Sequence, residues 1–206
     1  MAARVKTAQG TRGGRGPAAR VLRIIGGRWR GRKLRFPADA DIRPTPDRVR
    51  ETLFNWLAPE LPGARCLDLF AGSGALGLEA LSRGAAAVTF VDRDAAAIRE
   101  LRARLEEWQA VGAQLARADA LSFLAGTPSQ YQVVFLDPPY AAGLLPPCAA
   151  ALATRGWLAP GARVYVECAA REGLPALPPG FELVRSKRAG EVGYHLYGYP
   201  AAAAAP

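Results

Sequence analysis

The segment that decides the fold reads Asp68-Leu69-Phe70-Ala71-Gly72-Ser73-Gly74, between an apolar run at 64–70 and a helix-forming stretch at 75–82. The apolar run is short and continuous, as expected for a buried strand. Glycines in the turn that follows let a ligand approach the backbone closely. The segment therefore predicts a strand, a ligand-binding turn and a helix, which is the first unit of a parallel α/β sheet.

The rest of the chain continues this alternation of strands and helices. Strands are predicted at 21–36 (two short ones joined by a turn at Gly26-Gly27), 64–70, 86–91, 113–118, 131–136, 162–167, 181–187 and 192–199, the last two as an antiparallel pair. Helices are predicted at 75–82, at 144–154, after Asp94 as an N-cap, and from Thr45 and Pro46. Because the strands are solidly apolar, helices should cover both faces of the sheet. The predicted fold class is α/β, with a Rossmann-like, seven-stranded, mostly parallel sheet and a small basic N-terminal β-hairpin.

Positive charge is concentrated at the N-terminus. The 206 residues include 27 Lys plus Arg and 18 Asp plus Glu, for a net charge of +9, and residues 1–36 carry 11 basic residues and no acid. This asymmetry predicts a polyanionic partner, nucleic acid ahead of membrane, whereas the alternative is a solubilising tail. We divide the chain into a disordered basic tail (1–20), a hairpin with linker (21–45), the main domain (46–199) and a disordered tail (200–206).

Several classes of protein are disfavoured by the composition. There is no apolar run of about 20 residues for a membrane span, and the N-terminus lacks the apolar core of a secretory signal. The three cysteines are widely spaced and form neither a disulfide framework nor a zinc pattern. We therefore expect a cytoplasmic protein with no metal site.

Acidic residues end three successive predicted strands, at Asp68, Asp92 and Asp119. Ligands of parallel α/β sheets bind at this edge. A carboxylate just before the glycine turn would repel a pyrophosphate but suits an ammonium group. Asp92 can bind two ribose hydroxyls, and Asp119 can meet an adenine amino group. S-adenosylmethionine carries all three groups and no phosphate.

The predicted cofactor-binding residues are Asp68, Phe70, Ala71, Gly72, Ser73, Gly74, Asp92, Arg93, Asp119 and Ala120. The spacing Gly72-x-Gly74-x-x-Gly77 also matches the dinucleotide fingerprint, with Asp92 20 residues beyond Gly72. A NAD-linked oxidoreductase therefore remains an alternative.

A second informative segment, Asp137-Pro138-Pro139-Tyr140, follows the fourth strand of the predicted sheet. Two prolines fix the backbone, so the Asp137 carboxylate and the Pro138 carbonyl can hold rigid positions. A planar amino group has two N–H donors and needs two such acceptors. The Tyr140 ring can stack on the base that carries this amino group. We predict that these four residues form the catalytic site; the alternative is an ordinary proline-rich turn.

Together these residues resemble the bacterial 16S ribosomal RNA guanine-N2 methyltransferases, the small-subunit rRNA methyltransferase D family. The resemblance covers residues 21–198, and its matching stretches are RIIGGRWRGRKL (23–34), RPT (43–45), DRVRETLFN (47–55), FAGSGALGLEA (70–80) and DPPY (137–140). The glycine turn and the last stretch are shared with amino methyltransferases broadly, whereas the first stretches narrow the resemblance to this family. Many members have phenylalanine at the position of Tyr140, which preserves stacking.

The resemblance implies a class I S-adenosylmethionine-dependent methyltransferase that acts on N2 of one guanine of 16S rRNA within the small ribosomal subunit. We expect a monomer whose basic segment forms a fixed platform beside the catalytic edge, so that removing residues 1–36 abolishes RNA methylation but not cofactor binding. The predicted RNA-binding residues are Arg23, Arg28, Trp29, Arg30, Arg32, Lys33, Arg35, Arg43 and Arg48. Trp29 has two candidate roles, stacking on a base or packing against the domain.

Other functions stay open at this point. One is amino methylation of another target, such as adenine N6 in DNA or a protein glutamine, and the basic N-terminal segment disfavours the protein target. Another is a non-catalytic RNA-binding protein, which would not need Gly72 or Asp137.

Overall fold

The computed structural model describes residues 20–36, 46–139 and 142–200. In chain order the elements are β1 (Arg20–Arg23), β2 (Lys33–Phe36), α1 (Asp47–Trp56), β3 (Arg65–Asp68), α2 (Ala75–Ser82), β4 (Ala87–Asp92), α3 (Ala95–Glu107), β5 (Ala113–Arg117), α4 (Ala120–Leu124), β6 (Tyr131–Leu136), α5 (Leu145–Thr154), β7 (Leu158–Ala169), β8 (Glu182–Ala189) and β9 (Val192–Gly198). The predicted tails and the linker fall largely outside the described residues. The first strand begins at Arg20, one residue before the predicted start.

The main sheet has seven strands in the order β5-β4-β3-β6-β7-β9-β8. Strands β3, β4, β5, β6 and β7 pair in parallel, while β9 runs antiparallel to both β7 and β8. The predicted α/β class, the strand number and the closing antiparallel pair are thereby confirmed. The carboxyl ends of the parallel strands meet at one edge, which we call the rim.

Helices cover both faces of the sheet, as the apolar strands require. The side chains of α1, α2 and α3 bury one face, and those of α4 and α5 bury the other. Helix α2 packs very close to the sheet at Gly77: a Cβ added there would collide with the Phe90 ring. The ring therefore occupies the space that a side chain at this helix position would need.

Three sequence predictions need correction. Helix α1 begins at Asp47, because the Pro46 carbonyl already accepts the amide N–H groups of Val49 and Arg50; the predicted N-cap Thr45 lies outside the described residues. Strand β7 extends well beyond the predicted 162–167 at both ends. Helix α4 is absent from the prediction, since five residues are too few to show a helical period.

The N-terminal strands form a two-stranded antiparallel sheet, in which Leu22 pairs with Leu34. The connection between them is a long one, residues 24–32, that contains a 3₁₀ turn at Gly27–Trp29, rather than the tight turn predicted. Its buried side chains, which are Leu22, Ile24, Trp29 and Leu34, belong to the same hydrophobic cluster as α1, α2 and α3. The hairpin is therefore built into the core of the domain.

Candidate active site

The glycine turn lies at the rim, between β3 and α2. Gly72 and Gly74 have φ of 49° and 77°, which favours glycine. A Cβ at Gly74 would also lie 2.5 Å from the Leu101 Cδ1 atom. The Ala71 amide donates to the Val91 carbonyl at 2.9 Å, which fixes the turn against β4. The backbone of the turn is thus held close to the sheet, in a conformation and a space that only glycine fits at Gly74.

Asp92, at the end of β4, points at this turn. Its Oδ2 accepts the Gly72 amide at 2.7 Å, and its Oδ1 accepts the Asp94 amide at 2.8 Å. The carboxylate is half-buried, so it lies beside the turn with part of its surface open to a ligand. Asp94 caps α3 through the Ala96 amide, as its sequence position predicts.

Asp68, at the end of β3, is almost fully buried. Its Oδ2 accepts the Gly77 amide at 3.0 Å, inside the first turns of α2. Burial raises the pKa of the carboxyl to about 7; the Gly77 hydrogen bond opposes this shift and the charge of Asp92 adds to it. Asp68 therefore supports the turn from behind, and its carboxyl holds its proton to a higher pH than an exposed aspartate does.

The other predicted cofactor residues divide by exposure. Asp119 caps α4, with its Oδ1 accepting the amides of Leu121 and Ser122 at 3.0 and 3.3 Å, and it stays exposed. Side chains or backbone with surface open at the rim belong to Phe70, Gly72, Ser73 and Arg93, whereas Ala71, Gly74 and Ala120 are buried behind them. The second group can shape the site but offers little surface for contact.

Asp137 follows β6, the strand that pairs directly with β3. The Leu69 amide donates to the Phe135 carbonyl at 3.2 Å, so the two strands stay paired up to the rim. Asp137 is half-buried, Pro138 is buried and Pro139 is exposed. Tyr140 lies outside the described residues. The topology thus brings the predicted catalytic segment next to the predicted cofactor turn.

Comparison with known proteins agrees with this arrangement. A family model described as "Conserved hypothetical protein 95" matches residues 22–198. Ribosomal RNA small subunit methyltransferase D of Escherichia coli K12 is 51% identical over 85% of this chain and 89% of its own length. The protein of the same name from Haemophilus influenzae is 42% identical over 85% of this chain and 93% of its own. The chain belongs to the small-subunit methyltransferase D family.

The fold of this family member also matches a solved structure. The Escherichia coli methyltransferase candidate yhhF superposes with a TM-score of 0.82 at 49% identity, covering 88% of this chain and 99% of that one. The protein is a class I methyltransferase. Within the described ranges 20–36, 46–139 and 142–200, no group of three His, Cys, Asp or Glu side chains is placed to hold a metal ion, and no helix there is long and apolar enough to cross a membrane.

The basic residues of the hairpin form the candidate RNA surface of this methyltransferase. The exposed ones are Arg23, Arg28, Arg30, Arg32 and Lys33, and Arg48 is exposed at the start of α1. Arg43 and the side chain of Arg35 lie outside the described part. Of the two roles considered for Trp29, the structure shows packing against the domain rather than an exposed platform for a base: its ring is buried and its centre lies 5.2 Å from that of the Trp108 ring.

Each of these two tryptophan rings has an arginine against it. The Arg28 guanidinium lies 4.2 Å from the centre of the Trp29 ring, and that of Arg32 lies 5.3 Å from the Trp108 ring. These cation–π contacts hold two of the predicted RNA-binding arginines against the buried pair of tryptophan rings. Charge on the hairpin is therefore positioned by the fold of the domain.

Sequence reasoning missed the group that anchors the hairpin. The buried Glu79 carboxylate accepts the amides of Ile25 and Gly26, each at 2.8 Å, and the Arg83 Nε at 2.7 Å. Nearby, the buried Arg50 donates through Nη2 to the Arg23 carbonyl at 2.7 Å. The sequence does hold one signal of this anchor: Glu79 lies among apolar residues in α2, and a carboxylate can be buried there only if it has hydrogen-bond or ionic partners.

The anchor places the 3₁₀ turn at the far end of α2. The Ser82 hydroxyl accepts the Trp29 amide at 2.9 Å and donates to the Gly26 carbonyl at 2.5 Å. Helix α2 starts at the rim and has eight residues, so Ser82 is about 12 Å below it. The 3₁₀ turn of the basic hairpin is therefore separated from the rim by the length of α2. This position differs from the sequence prediction, which put the hairpin directly beside the catalytic edge.

Proposed function

We propose that the protein transfers a methyl group from S-adenosylmethionine to the exocyclic N2 of one guanine in 16S ribosomal RNA. The observation that carries the proposal is the pairing of β3 with β6. This pairing sets the glycine turn of residues 72–74 beside Asp137 and Pro138, so a nucleoside cofactor and a planar amino group can meet at one point of the rim. The family membership of the chain supports the same reaction.

The residues at the rim fit the cofactor. Gly72 and Ser73 are the partly exposed residues of the glycine turn, where a ligand can approach the backbone, and Asp92 beside them offers two oxygens to the ribose hydroxyls. Asp119 is exposed at the next strand end, where it can accept the adenine amino group. The proton of Asp68 can be displaced by a nearby ammonium group. When bound, the cofactor supplies an electrophilic methyl group on its sulfonium.

The Asp137 segment orients the target base. The Asp137 carboxylate and the Pro138 carbonyl accept the two N–H groups of the amino nitrogen, and Tyr140 stacks on the ring. These contacts direct the nitrogen lone pair toward the methyl group, so much of the rate acceleration comes from positioning. Positive charge would build on the nitrogen as the N–C bond forms and the methyl group leaves the cofactor sulfur, which would become a neutral thioether. The Asp137 carboxylate would stabilise that charge, and the proton would then pass to Asp137 or to water. The guanine must be unpaired or flipped to reach this position.

The substrate in the cell is proposed to be the small ribosomal subunit, acted on by a monomer in the cytoplasm. Relatives of this chain carry the small subunit in their names. The exposed cations of the hairpin offer binding groups for phosphates, which would supply the sequence-independent part of the affinity.

The test is to incubate the protein with methyl-labelled S-adenosylmethionine and small subunits that lack the modification, and then to map the labelled nucleoside. One N2-methylguanosine in 16S RNA is expected. Label in adenine N6, or in deproteinised DNA, would instead favour the adenine alternative. Calorimetric binding of NAD, with none of S-adenosylmethionine, would favour the oxidoreductase.

A further inference from the structure

Strand β8 carries a second basic surface, separate from the hairpin. It is an edge strand of the main sheet. Of its eight residues, Arg185, Lys187 and Arg188 are basic and exposed, and the one acid, Glu182, is at the opposite end. We call these three residues the β8 patch. They are absent from the RNA-binding residues that the sequence predicts, all of which lie between residues 23 and 48.

The register of the sheet places the β8 patch level with the proposed catalytic segment. Lys187 pairs with Tyr194, and Tyr194 pairs with Glu167. Val166 pairs with Leu136. The residues that follow this pair, Glu167 and Asp137, are therefore at the same height in the sheet. Lys187 and Asp137 therefore lie on one rung, three strand spacings apart, which is about 14 Å.

The β8 patch also lies on the substrate side of the rim. The cofactor candidates follow β3, β4 and β5, on one side of Asp137, whereas β7, β9 and β8 continue the sheet on the other side. If the cofactor occupies the rim above β3, β4 and β5, the RNA that flanks the target base lies over β7, β9 and β8. An RNA strand that leaves the base in this direction meets β8 within about 14 Å.

The cations of the patch are directed by their neighbours. The Lys187 Nζ lies 6.0 Å from the centre of the Trp56 ring, and this ring is stacked on Tyr194 at 5.5 Å. Arg185, two residues away along the strand, faces the same side. The Arg188 Nε donates to the Gly190 carbonyl at 2.9 Å, on the turn that leads to β9. The patch thus presents charge at a defined place beside the rim.

We propose that the β8 patch binds the ribose-phosphate backbone of the ribosomal RNA next to the target base. This inference rests on the proposed rRNA methylation. Positive residues on an edge strand also protect it from pairing with another strand, but that role needs no particular position along the rim. Guanidinium and ammonium groups in line with Asp137 favour phosphate as the partner over a protein surface, whose core would be apolar.

The test compares two double variants with equal loss of charge. Arg185→Gln with Lys187→Gln removes two cations of the patch and leaves Arg188 to hold the turn. Arg99→Gln with Arg102→Gln is the control, because both arginines are exposed on α3 in the cofactor half. Each protein is assayed for thermal unfolding, for S-adenosylmethionine affinity, and for the KM and kcat of small-subunit methylation at 50 and 200 mM salt.

We expect the β8 variant to keep its fold, cofactor affinity and kcat, and to raise KM for subunits at low salt. Two lost phosphate contacts reduce the salt slope by about 1.4, so the difference in KM from wild type should shrink about sevenfold between the two salt concentrations. Equal KM values and salt slopes for the β8 and control variants would overturn the inference. If wild type itself transfers no methyl group to the subunit, the proposed function fails rather than the patch.

A photoreactive amino acid at position 187 separates the two classes of partner. If this labelled enzyme keeps wild-type activity, crosslinks from position 187 to 16S RNA near the methylated guanine support the inference. Crosslinks to a ribosomal protein, without RNA, would show that the patch binds protein and would overturn it.

Discussion

The Glu79 carboxylate, buried in α2, accepts the backbone amide of Gly26 at 2.8 Å across 53 residues of sequence. The same carboxylate accepts the Ile25 amide and ion-pairs with Arg83. Helix α2, which starts at the glycine turn, is therefore also the helix that holds the basic hairpin. One buried helix thus joins the hairpin to the glycine turn at the rim.

Replacing Glu79 with glutamine should destabilise the protein strongly. The Glu79→Gln side chain keeps one acceptor oxygen for two amides, leaves the partly buried Arg83 without its carboxylate, and removes one of the two carboxylates near the buried Arg50, whose other partner is Asp47. Removing one member of a buried ion pair costs about 3–5 kcal/mol of unfolding free energy. Urea unfolding measures this, with the exposed Glu51→Gln in α1 as a control expected to change stability by less than about 0.5 kcal/mol. Equal midpoints for the two variants would contradict the role of Glu79.

Deletion of residues 1–36 should unfold the domain, contrary to the expectation from sequence. Four side chains of the hairpin are buried in the shared core, namely Leu22, Ile24, Trp29 and Leu34. At about 1.5–3 kcal/mol each, their loss is comparable to the whole stability of a typical domain. Circular dichroism and cofactor calorimetry on the truncated protein provide the measurement. A cooperative unfolding transition with intact S-adenosylmethionine binding would show that the hairpin is an independent appendage after all.

Asp92→Ala should weaken S-adenosylmethionine binding by about 1.5–3 kcal/mol, because two hydrogen bonds to the ribose are lost. The matched control is Asp94→Ala, two residues away. Asp94 caps α3, so this variant should lose about 1 kcal/mol of stability with little change in affinity. Calorimetry and thermal unfolding on both variants separate the two roles. Equal affinity losses at the two positions would remove the ribose assignment.

Elements with a strong local pattern could be predicted from sequence. The strand at Tyr131–Leu136 and the helix at Ala75–Ser82 have the predicted bounds, since each is a mostly apolar segment between turn residues. The adjacency of the glycine turn and Asp137 also follows from sequence, because parallel strands end at one rim. Local pattern and global topology agree in this part of the chain.

Long-range docking could not be predicted in the same way. Trp29 lies among arginines in the sequence, which suggests contact with RNA, but its partner Trp108 is in a distant helix and the pair is buried. Lys187 is level with Asp137 only through the strand register, which crosses two intervening strands. Neither relationship leaves a local signal in composition or period.

Asp137→Ala should lower kcat by at least about a hundredfold, as for the loss of a group that stabilises the transition state. The affinity for S-adenosylmethionine should stay within a few fold, since Asp137 lies on the substrate side of the rim. Single-turnover methylation of small subunits and calorimetry measure the two quantities. Near-normal turnover by this variant would place the catalytic centre elsewhere.

Asp68 should make the stability of the protein fall as pH rises from about 4 to about 7. Burial raises the pKa of its carboxyl in the folded protein from the ordinary value of 3.8 to about 7. Between these values the unfolded chain has lost the proton while the folded protein keeps it. The free energy of unfolding therefore decreases with pH in this window, by an amount on the order of 4 kcal/mol.

The Asp68→Asn variant isolates this contribution. Its amide oxygen can still accept the Gly77 amide, but it has no proton to lose, so the difference in unfolding free energy between variant and wild type should grow from pH 4 to pH 7 and then level off. Urea unfolding at a series of pH values gives that difference directly. Binding of S-adenosylmethionine near pH 6 should also release a proton from wild type and none from the variant, because an ammonium group close to the carboxyl favours the carboxylate. Calorimetry in two buffers of different ionisation enthalpy detects this release, and a release of equal size from the variant would show that Asp68 is not the group that senses the cofactor.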